Sequence, residues 1–208
     1  MELLIVLLLI LIILVIYKEK KKRKHKYKHN IEVQEIYKGY KPKFKVKLTI
    51  EDLISYIPPK YVVNLNKIIL TNSSALSRKE RKQKTWSRNK KYKINECRGL
   101  YYSDKKKDKA YIKLIIDNII DNSKVNYIPL FRDLIIAPVL FHEVGHHIHK
   151  FIKPEYRERE DVADNWGDKF IGLLGLKYWF LLPVLWVIAK LFKFIKNNTK
   201  ILDKYKNI

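Results

Sequence analysis

The residues best suited to chemistry in this chain stand in the stretch His142-Glu143-x-x-His146. If the stretch is helical, residues four apart lie just over one turn from each other, so both imidazoles share one face and can reach one metal ion. Zinc is the metal that this spacing favours. Glu143 adjoins the first histidine, where its carboxylate can take a proton from a water at the metal. It is therefore the candidate general base.

The residues around the motif predict a helix buried inside a domain, because the run from 134 to 141 is entirely apolar. Pro138 fits the first turn of a helix, or a kink in a longer one. Gly145 costs a helix about 1 kcal/mol relative to Ala, which indicates a packing or access reason for its presence. The alternative is a buried helix with structural histidines. His147 points away from the ligand face and is predicted to lie at the surface or behind the ligands.

A tetrahedral zinc site with two histidines and a water needs one more protein ligand. The acidic run that follows the motif offers Glu160, with Glu158 as the reserve. On a second helix, Asp164 shares a face with Glu160 and can accept a hydrogen bond from a ligand histidine, which would hold the orientation of that ring. The alternative for this run is a solvated, charged helix face.

The pattern His142-Glu-x-x-His146, followed by Glu160-x-x-Ala-Asp164, resembles that of the gluzincin metallopeptidases. The resemblance covers about residues 130–170. The Glu-x-x-Ala-Asp pattern is similar to that of membrane-bound zinc endopeptidases related to the CAAX prenyl protease. In gluzincins a glutamate on a second helix is the third zinc ligand, and an aspartate four residues later supports the site. The short distance between the two motifs departs from the CAAX-related pattern; compact layouts also occur in small metallopeptidases that cleave phage repressors.

The resemblance implies a compact, zincin-like α+β domain with a small mixed sheet, an active-site helix and a second ligand helix. Residues 100–116 are predicted to form a β-hairpin with a charged loop, and residues 117–122 a loop before the metal helix. One strand of that hairpin is predicted to be a sheet edge to which an extended peptide can add; the alternative is an ordinary strand.

The segment before this hairpin carries weaker patterns. Residues 43–48 alternate charged and apolar side chains, as a half-buried strand does, and Thr49 is a reasonable cap for a helix that ends before Pro58. Residues 61–70 read as another strand. Residues 77–88 are basic and are predicted to form a solvated surface helix rather than a contact with nucleic acid.

The two ends of the chain predict membrane contact. The apolar run from Leu3 to Tyr17 would span roughly 22 Å as a helix, and flanking lysines can extend it towards the ~30 Å hydrocarbon core. No cleavage site with small residues follows this run, so an uncleaved anchor is expected. The basic residues 18–30 that follow the anchor are expected on the cytoplasmic side. Near the other end, residues 178–195 are predicted to be an interfacial or re-entrant helix rather than a full span, with a buried core helix as the alternative.

The net charge of +23 over 208 residues favours anionic neighbours. Two partners are expected, a peptide or protein substrate and anionic lipid head groups. Nucleic acid is not expected. The predicted organisation is a transmembrane anchor (1–17), a basic linker (18–30), the metallopeptidase domain (31–169), a membrane-associated helix (170–196) and a polar tail (197–208).

These features predict a membrane-anchored, zinc-dependent metallopeptidase, in which Glu143 activates a water for attack on a peptide bond. The oxyanion-stabilising group is open, with Tyr156 and Arg157 close in sequence. One alternative is a non-catalytic membrane adaptor whose basic surfaces bind lipid or nucleic acid. Another is a zinc hydrolase for a non-peptide substrate.

Overall fold

The structure, a computed structural model, describes residues 26–88, 90–104, 109–120, 128–155 and 159–178. One compact unit is His25–Leu174, and Met1–Lys24 with Gly175–Ile208 make up a second. The predicted anchor, most of the basic linker and nearly all of the segment 178–208 lie outside the described residues. Within the described ranges, no helix combines the length and the apolar character that a membrane crossing requires.

The first unit combines strands and helices, which confirms the α+β class. The strands are β1 (Glu32–Ile36), β2 (Leu65–Thr71), β3 (Lys84–Ser87), β4 (Lys90–Lys93), β5 (Gly99–Asp104) and β6 (Lys109–Ile115). The helices are α1 (Val46–Ile54), α2 (Arg78–Lys82), α3 (Ile116–Ile119), α4 (Pro129–His147) and α5 (Arg159–Tyr178). A turn of π-helix, Ile148–Ile152, follows α4.

Four of the strands form a mixed sheet in the order β1-β2-β6-β5. The first three run parallel, and β5 pairs antiparallel with β6. The predicted hairpin is thus confirmed, and β5 is an edge strand of the described sheet. The two central strands carry fully buried side chains at alternate positions, Ile68 and Leu70 on β2 and Ile112 and Leu114 on β6.

Helix α4 packs against β5, β6 and α1. Pro129 occupies its first turn, and Pro138 lies in its interior. Burying one large apolar side chain contributes about 1.5–3 kcal/mol, so several of them on one face hold a helix firmly in place. The buried apolar residues of α4 follow helical spacing: Ile136, Ala137, Leu140, Phe141 and Val144.

The predicted strand at residues 43–48 is wrong, because Val46 begins helix α1. The buried residues Val46, Ile50 and Leu53 recur at helical spacing, and this longer period outweighs a short alternation of lysines. The helix therefore starts before Thr49, and it ends before Pro58 as predicted.

Three other segments differ from the predicted elements. The basic helix is limited to α2, whose Ser77 and Glu80 form a capping box, and the chain then enters β3. Helix α3 replaces the beginning of the predicted loop because it buries Ile116 and Ile119. Strand β2 starts only at Leu65, after a 3₁₀ turn, Pro59–Tyr61. Each difference depends on burial or on strand pairing, which the charge pattern of the segment itself does not reveal.

Candidate metal centre

Helices α4 and α5 bring the three predicted metal ligands together. The Nε2 atom of His142 lies 3.5 Å from Oε2 of Glu160, and Nε2 of His146 lies 3.6 Å from Oε1 of the same carboxylate. One ligand atom from each of the three residues lies within 4.8 Å of the others. Ligands about 2.1 Å from a tetrahedral zinc ion are about 3.4 Å apart, so two imidazoles and a carboxylate in this arrangement fit zinc.

Asp164 lies one turn beyond Glu160 and contacts the other side of the first histidine. Its Oδ1 atom is 2.8 Å from Nδ1 of His142. When Nδ1 donates its proton to this carboxylate, Nε2 is left with a lone pair directed towards Glu160. The structure thus brings Asp164 into contact with His142, the kind of residue that the sequence predicts as its partner.

Metal binding requires a neutral imidazole and an ionised carboxylate, and the ionisation states of His146 and Glu160 meet this requirement. The pKa of His142 is raised instead: burial lowers it, but the contacts with Glu160, Glu143 and Asp164 outweigh burial. Burial lowers the pKa of His146, and the neighbouring positive groups lower it further. The hydrogen bond with His142 lowers the pKa of Glu160. Both groups are therefore in their metal-binding form at neutral pH.

Glu143, the candidate base, is buried beside the edge strand β5. Burial raises the pKa of its carboxyl group to about 7, near the value that suits a general base at neutral pH. A Cβ atom at position 99 would lie 2.6 Å from Oε1 of Glu143. Gly99 thus leaves the space that the carboxylate of Glu143 occupies, a role that the sequence alone does not indicate.

Gly145 lies at a close contact between the two candidate ligand helices. A Cβ atom at this position would lie 2.4 Å from the carbonyl oxygen of Ala163 and 2.7 Å from its Cα atom. The packing reason expected for this glycine is thus present. His142 and His146 flank this contact on α4, and Glu160 lies about one turn before Ala163 on α5. The contact therefore constrains the distance between the candidate ligands.

Replacing Gly145 by Ala is expected to push α4 and α5 apart, to destabilise the fold by about 1–3 kcal/mol and to weaken zinc binding. Gly172→Ala is the matched control, because a Cβ atom added at position 172 would meet no described atom within 4 Å outside the local helix backbone. That control should be neutral or gain up to about 1 kcal/mol from helix propensity. Urea unfolding and zinc titration measure both effects. Equal stability and zinc affinity in the two variants would show that the close approach does not constrain the site.

His147 does not lie at the surface, which corrects one of the two predicted placements. The ring is fully buried, with Nε2 2.8 Å from the carbonyl oxygen of Val63 and Nδ1 3.3 Å from the hydroxyl group of Tyr101. When Nε2 donates to Val63, Nδ1 can accept from Tyr101. The side of α4 away from the ligands is thus also packed, and His147 ties this helix to β5.

Comparison with protein-family profiles, with characterised proteins and with solved structures found no match. The resemblance to gluzincins accordingly rests on the motif residues.

An open cleft of about 530 Å³ contains the candidate centre. Its walls come from the β3–β4 hairpin, β5, α4 and α5. The guanidinium group of Arg159 lies in the cleft, with Nε 3.4 Å from Nδ1 of His146. Glu158, the reserve ligand, and both Tyr156 and Arg157 lie outside the described residues.

The hairpin contributes two residues that sequence reasoning missed. Ser87 Oγ donates a hydrogen bond to Oε2 of Glu160 at 3.0 Å. The guanidinium group of Arg88 forms an ion pair with Oδ2 of Asp164. Both contacts join residues more than 70 positions apart, so no local pattern in the sequence points to them.

Proposed function

We propose that the chain is a zinc-dependent metallopeptidase. The observation that carries this proposal is the convergence of His142, His146 and Glu160, with Asp164 on the other side of the His142 ring and a buried Glu143 lining the same cleft. This combination of three ligands, a supporting carboxylate and a base is the set of groups that zinc-assisted hydrolysis needs.

Zinc held there would polarise a scissile carbonyl group and lower the pKa of a coordinated water towards about 7. Glu143 would accept the proton of the attacking water and pass it to the leaving amine. Asp164 would keep the His142 ring in its ligating orientation. The three candidate ligands line the open cleft, so a substrate in the cleft would lie beside the zinc ion.

A peptide substrate is favoured over a small molecule by the position of β5. This strand is an edge of the described sheet, and its residues Gly99, Leu100 and Tyr101 line the cleft. An extended peptide can add to such an edge through backbone hydrogen bonds, which hold a chain of any sequence beside the ligands. We propose that the substrate binds in this way.

We further propose that the enzyme works at a membrane. The apolar run 3–17 and the basic residues that follow it support an anchor with the catalytic unit on the cytoplasmic side. Basic residues next to a membrane surface each gain about 1 kcal/mol from anionic lipid, so anionic head groups are the proposed lipid partner.

The direct test is the zinc content of the detergent-purified full chain, compared with Glu160→Ala and with Glu96→Ala. Glu96 is a control carboxylate, since it lines the same cleft and lies outside the ligand cluster. We expect about one zinc ion per wild-type chain, as a mononuclear site requires, a strong loss in Glu160→Ala and none in Glu96→Ala.

Three other outcomes of the zinc measurement would contradict part of this proposal. Zinc retained by Glu160→Ala would move the third ligand to another residue. A wild-type chain without zinc after metal repletion would contradict the metallopeptidase and favour a non-catalytic adaptor. Zinc without cleavage of any peptide in a mixed library would favour a hydrolase for a different substrate.

A further inference from the structure

The β3–β4 hairpin lies outside the four-stranded sheet, and its end reaches the ligand face of α5. Ser87 pairs with Lys90 in this antiparallel hairpin, so the loop contains only two residues. Ser87 and Arg88, at the start of the loop, make the contacts with Glu160 and Asp164. The hairpin is thus attached to the metal site through side chains at its loop end.

These contacts add one hydrogen-bond donor to each of the two carboxylates. The Oδ1 atom of Asp164 contacts His142 and its Oδ2 atom accepts from Arg88, so both oxygens of the carboxylate group have a partner. Glu160 has Ser87 on Oε2, the oxygen that also faces the His142 ring. A carboxylate held in this way has little freedom to rotate, and the histidine that it faces is held with it.

The backbone of Arg88 is in a conformation that an arginine adopts at a cost. Its φ angle is 46°, in the left-handed region. Two-residue hairpin loops commonly place Gly, Asn or Asp in this conformation, and other residues pay of order 1–3 kcal/mol for it. The cost indicates that the Arg88 side chain has a role that Gly could not fill.

The ion pair is a weak source of fold stability. The Arg88 side chain is 61% exposed and that of Asp164 is 39% exposed. Ion pairs exposed to this degree contribute about 0–1 kcal/mol, which does not exceed the backbone cost. A contribution to folding therefore does not explain the arginine, whereas a contribution to the geometry of the site does.

We propose that Arg88 and Ser87 are positioning residues of the metal centre. This inference rests on the proposed zinc site. Arg88 orients Asp164 and through it the His142 ring, and Ser87 orients Glu160. Trp86 and Tyr92 of the same hairpin line the cleft, and Trp86 is 66% exposed. The contacts that position the ligands therefore also hold one wall of the substrate cleft beside the metal.

The decisive variant is Arg88→Gly, because glycine relieves the backbone cost while it removes the guanidinium group. Zinc affinity, measured by competition with a chelator on the full chain, should fall about 10–100-fold, the range typical for loss of a supporting residue. The stability of the metal-free protein in urea should stay equal or rise. Ser87→Ala should weaken zinc binding by a smaller factor, because it removes one neutral donor.

Lys90→Ala is the matched control, since it removes one positive charge from an exposed position of the same hairpin. Its zinc affinity should match that of the wild type. A substituted cobalt ion gives a second readout, because its visible spectrum should change in Arg88→Gly and not in Lys90→Ala if the ligand geometry changes.

The outcomes separate this inference from the proposed function. Wild-type zinc affinity in Arg88→Gly would overturn the positioning role while leaving the metallopeptidase intact. A parallel loss of metal-free stability in that variant would also overturn it, since the arginine would then act through the fold. Absence of zinc from the wild type would contradict the metallopeptidase proposal itself.

Discussion

Glu143→Gln is expected to keep the zinc content of the wild type and to lower peptide hydrolysis about 10²–10⁴-fold, the usual contribution of a general base. Glutamine has nearly the same shape and fits the space beside Gly99, but its amide cannot accept a proton from water. The three ligand side chains are unchanged by the substitution. Zinc per chain and kcat on a peptide that the wild type cleaves measure the two parts of this prediction.

Glu51→Gln is the control for that experiment, because Glu51 is an exposed residue of α1 that pairs with Lys47. It should retain both zinc and activity. A Glu143→Gln enzyme with wild-type kcat would contradict the assignment of the base. Loss of zinc in this variant would instead place Glu143 among the groups that hold the metal.

Glu143→Gln is also expected to stabilise the metal-free protein relative to the wild type, by an amount that increases as the pH rises. Burial raises the pKa of Glu143 from 4.5 to about 7 on folding. Below pH 4.5 the carboxyl group is protonated in both the folded and the unfolded chain, so the raised pKa stabilises the wild type fully there. As the pH rises through 7 the folded state must carry a buried charge. Above that pH, about 3 kcal/mol of this stabilisation is lost.

Glutamine does not titrate, so Glu143→Gln should gain this amount over the wild type between pH 4.5 and pH 8. The difference between the two proteins is the quantity to measure, because His146 has an opposing effect. Burial lowers the pKa of His146 below 6.5, so its contribution to stability is lost as the pH falls. That contribution is present in both proteins and cancels to first order.

Urea unfolding with a chelator present, at several pH values across this window, tests the expectation. A gap in unfolding free energy that stays constant with pH would show that Glu143 ionises at its ordinary pKa in the folded chain. Glu143 would then not be a base with a pKa near neutral pH, while the candidate metal ligands would be unaffected.

Local periodicity was enough to predict the elements that have a long apolar run or a clear polar loop between apolar segments. The apolar run before His142 led to α4, and two apolar segments around a charged loop led to the β5–β6 hairpin. It failed at residues 43–48, where six residues of alternation could not be separated from the first turns of a helix. Tertiary burial of Val46, Ile50 and Leu53 decided that segment.

The amino-acid sequence by itself determined the relation of His142, Glu143 and His146, because helical geometry places residues four apart on one face whatever surrounds them. The acidic run after the motif indicated Glu160 and Asp164 as partners, and the tertiary structure decided whether and how these and other groups meet those side chains. It brought Glu160 opposite both imidazoles, Gly99 beside Glu143 and the hairpin residue Arg88 against Asp164. These partners lie on separate elements, and their meeting depends on how the sheet and helices pack, which no local period in the chain encodes.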